Sequence, residues 1–282
     1  MVDQTDEAAS KSRATDERTP KMLIDKMRPV AGLRVLVTAG ASGIGEAISR
    51  AFLEAGAKVF ICDIDAEALE RLALELPGLQ TIVADVSSEA DVAAMITAVR
   101  GRFGGLDVLI NNAGISGPTG PIDTLDVKDI RQTLDVDLLG QFLAVRQAAQ
   151  MLRDSEAGAI INLSSVAGRL GYGLRTPYAA SKWGIVGFTQ SLAKEMGPDG
   201  VRVNAILPGV VRGARMEGVI RSRAEAEGIS YPEMEKQYLA NVSLRRMVDP
   251  DDVAAMALFL CSPAGANISG QAISVCGNVE NI

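Results

Sequence analysis

Seven short apolar runs, each but the last followed by a segment long enough for a helix, constrain this chain more than any other feature. The runs are LRVLVT (33–38), KVFICD (58–63), LQTIVAD (79–85), LDVLINN (106–112), GAIINLS (158–164), VRVNAIL (201–207) and AISVC (272–276). They are nearly continuous in Val, Ile and Leu, the pattern of strands covered on both faces. Segments between them, such as GIGEAISRAFLEAG, DVAAMITAVRGRF and YAASKWGIVGFTQSLAKEM, have helical length. Strand and helix in alternation call for right-handed crossovers and predict an α/β fold on a parallel, doubly wound sheet.

The chain has 282 residues, room for one large α/β domain or two small ones at ~150 residues each. Residues 1–30 are polar and aperiodic and read as a flexible leader, leaving 31–282 for the folded domain. One long insertion, about 212–247, is rich in Arg, Glu and Met; a loop of that length in a compact domain is usually a lid or binding element. No internal repeat is present.

Composition narrows the function. Hydrophobic residues at 48% and charged residues at 22% exclude disorder as a global description. A net charge of -7 without a basic block argues against nucleic acid and anionic membrane as partners. There is no apolar run of ~18 residues for a membrane span and no apolar stretch of a signal peptide at the charged N-terminus. Cys62, Cys261 and Cys276 lie far apart, an odd count that opposes a disulfide framework and suits a reducing cytoplasm.

Histidine is absent. That rules out Ser/His/Asp and Cys/His catalysis, HExxH zinc sites and any His base, so proton transfer falls to carboxylate, Tyr, Lys or Cys. No metal site is expected.

The first run leads into Thr38, Ala39, Gly40, Ala41, Ser42, Gly43, Ile44 and Gly45, with a helix predicted to open at Glu46. Small residues there let the backbone approach a pyrophosphate held against the helix N-terminus, although glycines also serve ordinary tight turns. Asp63 ends the next strand 18 residues after Gly45, where a carboxylate accepts hydrogen bonds from an adenosine ribose and repels a 2′-phosphate. No Lys or Arg stands within 38–45, so NAD is expected over NADP; the plainer reading of Asp63 is a loop residue at a strand end.

Thr176 and Pro177 read as the N-cap and first position of a helix that carries Tyr178 and Lys182 on one face. A free tyrosine holds its proton too tightly for exchange at neutral pH. A neighbouring ammonium and the positive helix end favour the phenolate, which makes the pair a plausible acid/base, though the spacing also arises by chance. Ser164 and Ser165 end the fifth strand at the ligand-binding edge of such sheets, where serines are also common turn formers.

Together these residues resemble the short-chain dehydrogenase/reductase family over about 250 residues. The matching stretches are TAGASGIG (38–45), Asp63, Asp85 with Val86, NNAG (111–114), the serine in NLSS (162–165), YAASK (178–182) and NAILPG (204–209). The resemblance implies a single Rossmann-type domain with seven parallel strands, usually in a homotetramer, that oxidises a secondary alcohol or reduces a ketone with a nicotinamide cofactor. By position, Ser165, 13 residues before Tyr178 as in the family, orients the substrate oxygen. Tyr178 is the acid/base, and Lys182 assists it and binds the nicotinamide ribose. Asp85 and Val86 would flank the adenine. Asn111, Ala113 and Gly114 would line the cofactor channel, and Thr38, Gly40, Ser42, Gly43, Ile44, Gly45, Pro208, Gly209 and Val211 complete the expected cofactor set.

Three positions depart from the family pattern. Ala39 stands where a first glycine is usual. Gly213 stands where a threonine often meets the cofactor amide. Asp137 stands where an asparagine completes a catalytic tetrad by holding a helix kink and a water that links Lys182 to solvent.

The leading expectation is an NAD-dependent dehydrogenase of a small polar or carbohydrate-like secondary alcohol. The alternatives are a 3-oxoacyl-thioester reductase, which Asp63 disfavours, and a dinucleotide-sensing scaffold that has lost its chemistry, which Ser165, Tyr178 and Lys182 disfavour. Arg169, Arg175, Arg212 and Arg215 could face the substrate pocket and bind an anion, or be solvated and paired with acids such as Glu217.

Overall fold

A computed structural model describes residues 23–279. The seven apolar runs form β1 (Arg34–Thr38), β2 (Lys58–Asp63), β3 (Gln80–Val83), β4 (Val108–Asn111), β5 (Ala159–Leu163), β6 (Arg202–Pro208) and β7 (Ala272–Val275). Every strand lies within two residues of its expected bounds. All pairs are parallel in the order β3-β2-β1-β4-β5-β6-β7, the single doubly wound sheet that the alternation predicts.

Nine α-helices are described: α1 (Gly43–Glu54), α2 (Ala66–Glu75), α3 (Glu89–Phe103), α4 (Val127–Leu134), α5 (Gly140–Arg153), α6 (Thr176–Met196), α7 (Ala214–Glu227), α8 (Tyr231–Ala240) and α9 (Pro250–Cys261). Local chemistry starts several of them. Asp65 accepts from the Ala68 amide at 3.0 Å to open α2, and a reciprocal Ser230–Glu233 box opens α8.

Successive strand residues point to opposite faces, so the apolar runs feed two cores. Val35, Val37, Ile61 and Ile110 pack with Ile48 and Phe52 of α1 and Val253, Ala257 and Leu260 of α9. Leu36, Phe60, Leu109 and Ile160 pack on the other face with Met95 of α3, Ala144 and Leu152 of α5, and Leu192 of α6. Each fully buried Leu or Ile contributes about 1.5–3 kcal/mol over an exposed one, which is why these strands tolerate no polar alternation.

Two helix starts differ from expectation. The first crossover helix begins at Gly43 with Ser42 as its cap residue, not at Glu46, so the glycine turn itself supplies the first helical turn. Thr176 is the first residue of α6, and Arg175 takes the cap position with φ -134 and ψ 41. The 212–247 insertion is not a structureless loop. It contains α7 and α8, which enclose a small third core of Val210, Ile220, Met234, Val242 and Met247. Its base is fastened by bridges from Val211 to Val248 and from Val242 to Val279.

The expected flexible leader lies outside the described residues over 1–22; within its remainder, Leu23–Met27 form a 3-10 helix. No helix among the described residues is long and apolar enough to cross a membrane.

Candidate active site

Strand order reverses between β1 and β4, and the loops leaving these strands diverge to open a crevice at the carboxyl edge. One wall is the glycine turn. A Cβ on Gly45 would lie 2.0 Å from the Ala39 carbonyl oxygen and 2.6 Å from Asn112 Nδ2, so only glycine fits. Ala39 adopts φ 49, a left-handed backbone that costs an L-residue roughly 1–2 kcal/mol; the turn keeps its shape with alanine at that position.

The other wall is built at the end of β4. Asn112 donates to the carbonyls of Thr38 (3.0 Å) and Ala39 (2.9 Å), and the Thr38 hydroxyl accepts from the amides of Asn112 and Ala113 at 3.0 Å. Thr38 and Ala113 therefore brace the two walls together while remaining buried.

Asn111 does not line the crevice with its side chain, contrary to expectation. It is 1% exposed and donates to Asn162, directly opposite it on β5, at 2.9 Å; Asn162 in turn donates to Thr189 of α6 at 2.9 Å. The next residue along the chain, Asn112, takes the lining position, and its place beside Asn111 in NNAG is the signal that could have found it.

The crevice is lined by Ser42, Gly43, Ile44, Gly114, Pro208, Gly209 and Val211, as expected, and encloses about 410 Å³. At its outer end Asp63 accepts from the amides of Ala41 and Asp65, each at 3.2 Å. A basic group that the turn sequence lacks arrives from α2. Arg71 donates to the Ala41 carbonyl at 3.0 Å while paired with Glu46 (3.0 Å) and Glu75 (3.1 Å). Asp85 is exposed and ties its carboxylate to Ser87. Val86 is buried where a Cβ on Gly140 would come within 2.9 Å of it.

Tyr178 and Lys182 lie one turn apart on α6. Tyr178 is half-buried; the Lys182 ammonium sits 5.5 Å from its ring centre and donates to the Leu163 carbonyl at 3.3 Å. The two serines divide their tasks. Ser164 is buried and donates to the Lys182 carbonyl at 2.8 Å, holding β5 against α6. Ser165 opens the 3-10 turn Val166–Gly168, accepts from the Ala167 amide at 3.2 Å and faces the same cavity as Tyr178.

Asp137 occupies a π-helical turn, Asp135–Leu139, between α4 and α5. It is 0% exposed. Its Oδ1 accepts from the Ile115 amide at 2.6 Å, and its Oδ2 accepts from the Ser181 hydroxyl at 3.2 Å and lies 3.6 Å from Lys182 Nζ. A Cβ on Gly114 would fall 3.1 Å from Lys182 Nζ and 3.2 Å from Asp137 Oδ1, so Gly114 separates this pair from the crevice by a bare backbone.

Beyond Tyr178 a second cavity of about 180 Å³ runs between Ser165 and residues of α7 and α8. Of the four arginines considered from sequence, Arg169 bonds Ser274 and the Ala272 carbonyl, and Arg212 pairs with Asp249 at 2.9 Å. Arg175 and Arg215 remain over the Tyr178 ring, 4.6 and 6.0 Å from its centre. Burial pushes the Tyr238 phenol of α8 up, against the hydrogen bond that Arg223 donates to it at 3.2 Å.

These features suit a dinucleotide. The glycine cradle admits no Cβ at Gly45, the first residues of α1, Gly43 and Ile44, line the crevice, and the residues that line it include arginines and no carboxylate. The turn residues would hold the pyrophosphate, Asp63 the adenosine ribose, and Tyr178 with Lys182 the far ribose.

Residues 38–278 match the family model described as enoyl-(acyl carrier protein) reductase. Galactitol 2-dehydrogenase of Agrobacterium fabrum is 37% identical over 244 residues, covering 86% of this chain and 95% of that protein. A variant of the actinorhodin polyketide ketoreductase with NADPH superposes with a TM-score of 0.85 at 32% identity, over 90% of this chain and 100% of the other. NAD+-bound xylitol dehydrogenase superposes with a TM-score of 0.83 at 26% identity, over 88% of this chain and 98% of the other.

Proposed function

The chain belongs to the short-chain dehydrogenase/reductase family, and on that premise we propose that it oxidises a small polar or carbohydrate-like secondary alcohol with NAD. The observation that carries the proposal is the convergence of Ser165 and Tyr178 on one cavity, with Lys182 behind the phenol and a glycine cradle beside it. The bound nicotinamide would supply hydride acceptance. The chain supplies everything else. Ser165 hydrogen-bonds the alcohol oxygen and holds it toward the phenol. Tyr178 takes the hydroxyl proton as the carbonyl forms, helped by the positive charge of Lys182 at the base of the same helix turn. Gly114 and Asn112 keep the floor of the crevice narrow, and the lid helices limit the entry of water.

Asp63 supports NAD over NADP, because a carboxylate at this strand end accepts from an adenosine ribose and repels a 2′-phosphate. Galactitol 2-dehydrogenase among the relatives supports a polyol or sugar as substrate class. Three unpaired cysteines are in keeping with a reducing cytoplasm. A homotetramer remains part of the proposal, in line with the exposed Leu139, Phe142 and Trp183 around α5 and α6.

A second reading is reduction of a ketone on an acyl chain with NADPH. The likeness to the NADPH-bound ketoreductase and the reach of Arg71 to the glycine turn favour it. Initial rates with NAD and NADP across polyols, sugars, hydroxy acids and steroids, and with NADH and NADPH across the matching ketones and 3-oxoacyl thioesters, separate the two. Turnover of polyols or sugars with NAD supports the first. Turnover confined to thioesters with NADPH overturns it.

A further inference from the structure

The cavity under the lid is unusual for a protein of net charge -7. Its lining includes Arg175 and Arg223, the phenols of Tyr172 and Tyr238, and no carboxylate. Arg175 is half-buried and lies 4.9 Å from the centre of the Tyr172 ring and 4.6 Å from that of Tyr178. Its Nη2 donates to the Ser116 carbonyl at 2.5 Å and its Nη1 to the Tyr172 hydroxyl at 3.3 Å. Its Nε is buried without a hydrogen-bond partner, and no carboxylate among the described residues pairs with it. Arg223, on the lid side, donates to Tyr238 and meets one acid, Glu227, at 3.6 Å.

A buried guanidinium N–H without an acceptor is costly, and a cavity wall rich in donors and free of acids lowers the energy of an anion inside it. A neutral polyol would leave that positive field unanswered. A carboxylate matches the fork of a guanidinium and accepts from phenols as well.

We propose that the substrate carries a carboxylate, seated between Arg175 and Arg223 while its secondary hydroxyl lies at Ser165 and Tyr178. The enzyme is on this view a dehydrogenase of hydroxy or sugar acids. The inference rests on the reading of Ser165 and Tyr178 as the reacting centre.

The test uses pairs with one carbon skeleton, charged and neutral: threonate with threitol, gluconate with glucitol, and 3-hydroxybutyrate with 1,3-butanediol. Calorimetric titration of the enzyme–NADH complex measures binding without turnover, and initial rates with NAD measure oxidation. In at least one pair the acid is expected to bind and react at least tenfold better than its neutral partner, with the ratio falling as salt rises. Arg223→Gln, on the open lid side, is expected to reduce that ratio at least fivefold through KM, and Arg175→Gln to reduce it further.

Equal or undetectable binding of both members of every pair overturns the inference. So does an acid preference that both variants leave intact. The two proposals fail separately. Neutral polyols oxidised as well as their acids leave the dehydrogenase standing without its acid site. Acids bound preferentially, with no alcohol or ketone turned over, keep the anion site and overturn the dehydrogenase.

Discussion

Asp137 Oδ2 lies 3.6 Å from Lys182 Nζ in a space closed to solvent, so a full carboxylate faces the ammonium that stands behind the acid/base tyrosine. The same side chain accepts the Ile115 amide and the Ser181 hydroxyl, and thereby pins the π-helical turn to the loop after β4 and to α6. An amide could keep the Ile115 bond through its oxygen and would have to reverse the Ser181 bond by donating to the hydroxyl oxygen, and it would not offset the lysine charge.

Asp137→Asn is therefore expected to keep turnover within about tenfold of wild type, because Ser165, Tyr178 and Lys182 are unchanged. Asp137→Ala is expected to lose about 3–5 kcal/mol of stability by leaving a buried ammonium unpaired. Urea unfolding and initial rates read the two effects apart. An inert wild type that gains activity as Asp137→Asn would mean that the native protein is a dinucleotide-binding scaffold.

Tyr178→Phe removes the proton carrier and leaves the glycine cradle untouched. Turnover should fall by about 10²–10⁴ while NADH still raises the melting temperature nearly as in wild type. Lys182→Ala should lower both. Wild-type kinetics in Tyr178→Phe would reject the acid/base role.

Cofactor choice is expected to turn on Asp63 and Arg71 together. Asp63→Ala should narrow the preference for NAD, because the repelling carboxylate is gone and the Arg71 guanidinium stands ready beside Ala41. Adding Arg71→Ala should restore part of the preference. Ratios of kcat/KM for NAD and NADP in the three proteins decide this, and identical ratios would remove both residues from the account.

The sheet was legible because strands buried on both faces leave no room for polar alternation, so the seven runs stand out in composition alone. The candidate site residues stood out in the sequence because Ser165, Tyr178 and Lys182 sit at fixed offsets around one strand end and one helix turn. What escaped was set by tertiary approach. Arg71 lies far along the chain from the turn it touches. Asn111 and Asn112 are chemically identical neighbours, and only the strand's alternation decides which faces the crevice. Helices α7 and α8 bury few residues, so their apolar periodicity is too thin to distinguish them from a polar loop.

Thiol chemistry offers a check on burial. Burial pushes Cys62 and Cys261 up to about 12, whereas Cys276 is half-buried at the end of β7. Because the thiolate is the reactive form, one thiol should react readily with an alkylating reagent in the native protein and three after denaturation. Two fast thiols in the native state would contradict the packing around β2 or α9.

Acid stability should depend on the far end of the sheet from the site. Asp107 accepts from Arg34 through Nε at 2.9 Å, Nη2 at 2.6 Å and the backbone amide at 2.8 Å, and from the Ser155 hydroxyl at 2.7 Å. Burial pushes the Asp107 carboxyl up, but the bonds from Arg34 and Ser155 outweigh it and hold the group below the usual carboxylate range. A carboxyl depressed by folding adds stability that is complete above its unfolded value of ~4 and is lost as pH falls through the lower folded one. Asp107→Asn should therefore cost about 2 kcal/mol at pH 7, with little change in the slope of urea unfolding. Between pH 5 and pH 2, ranges that bracket ~4, the wild-type stability should fall toward that of the variant, since protonation removes from one protein what the amide already lacks in the other. Curves that stay parallel across that interval would place the acid sensitivity of the fold elsewhere.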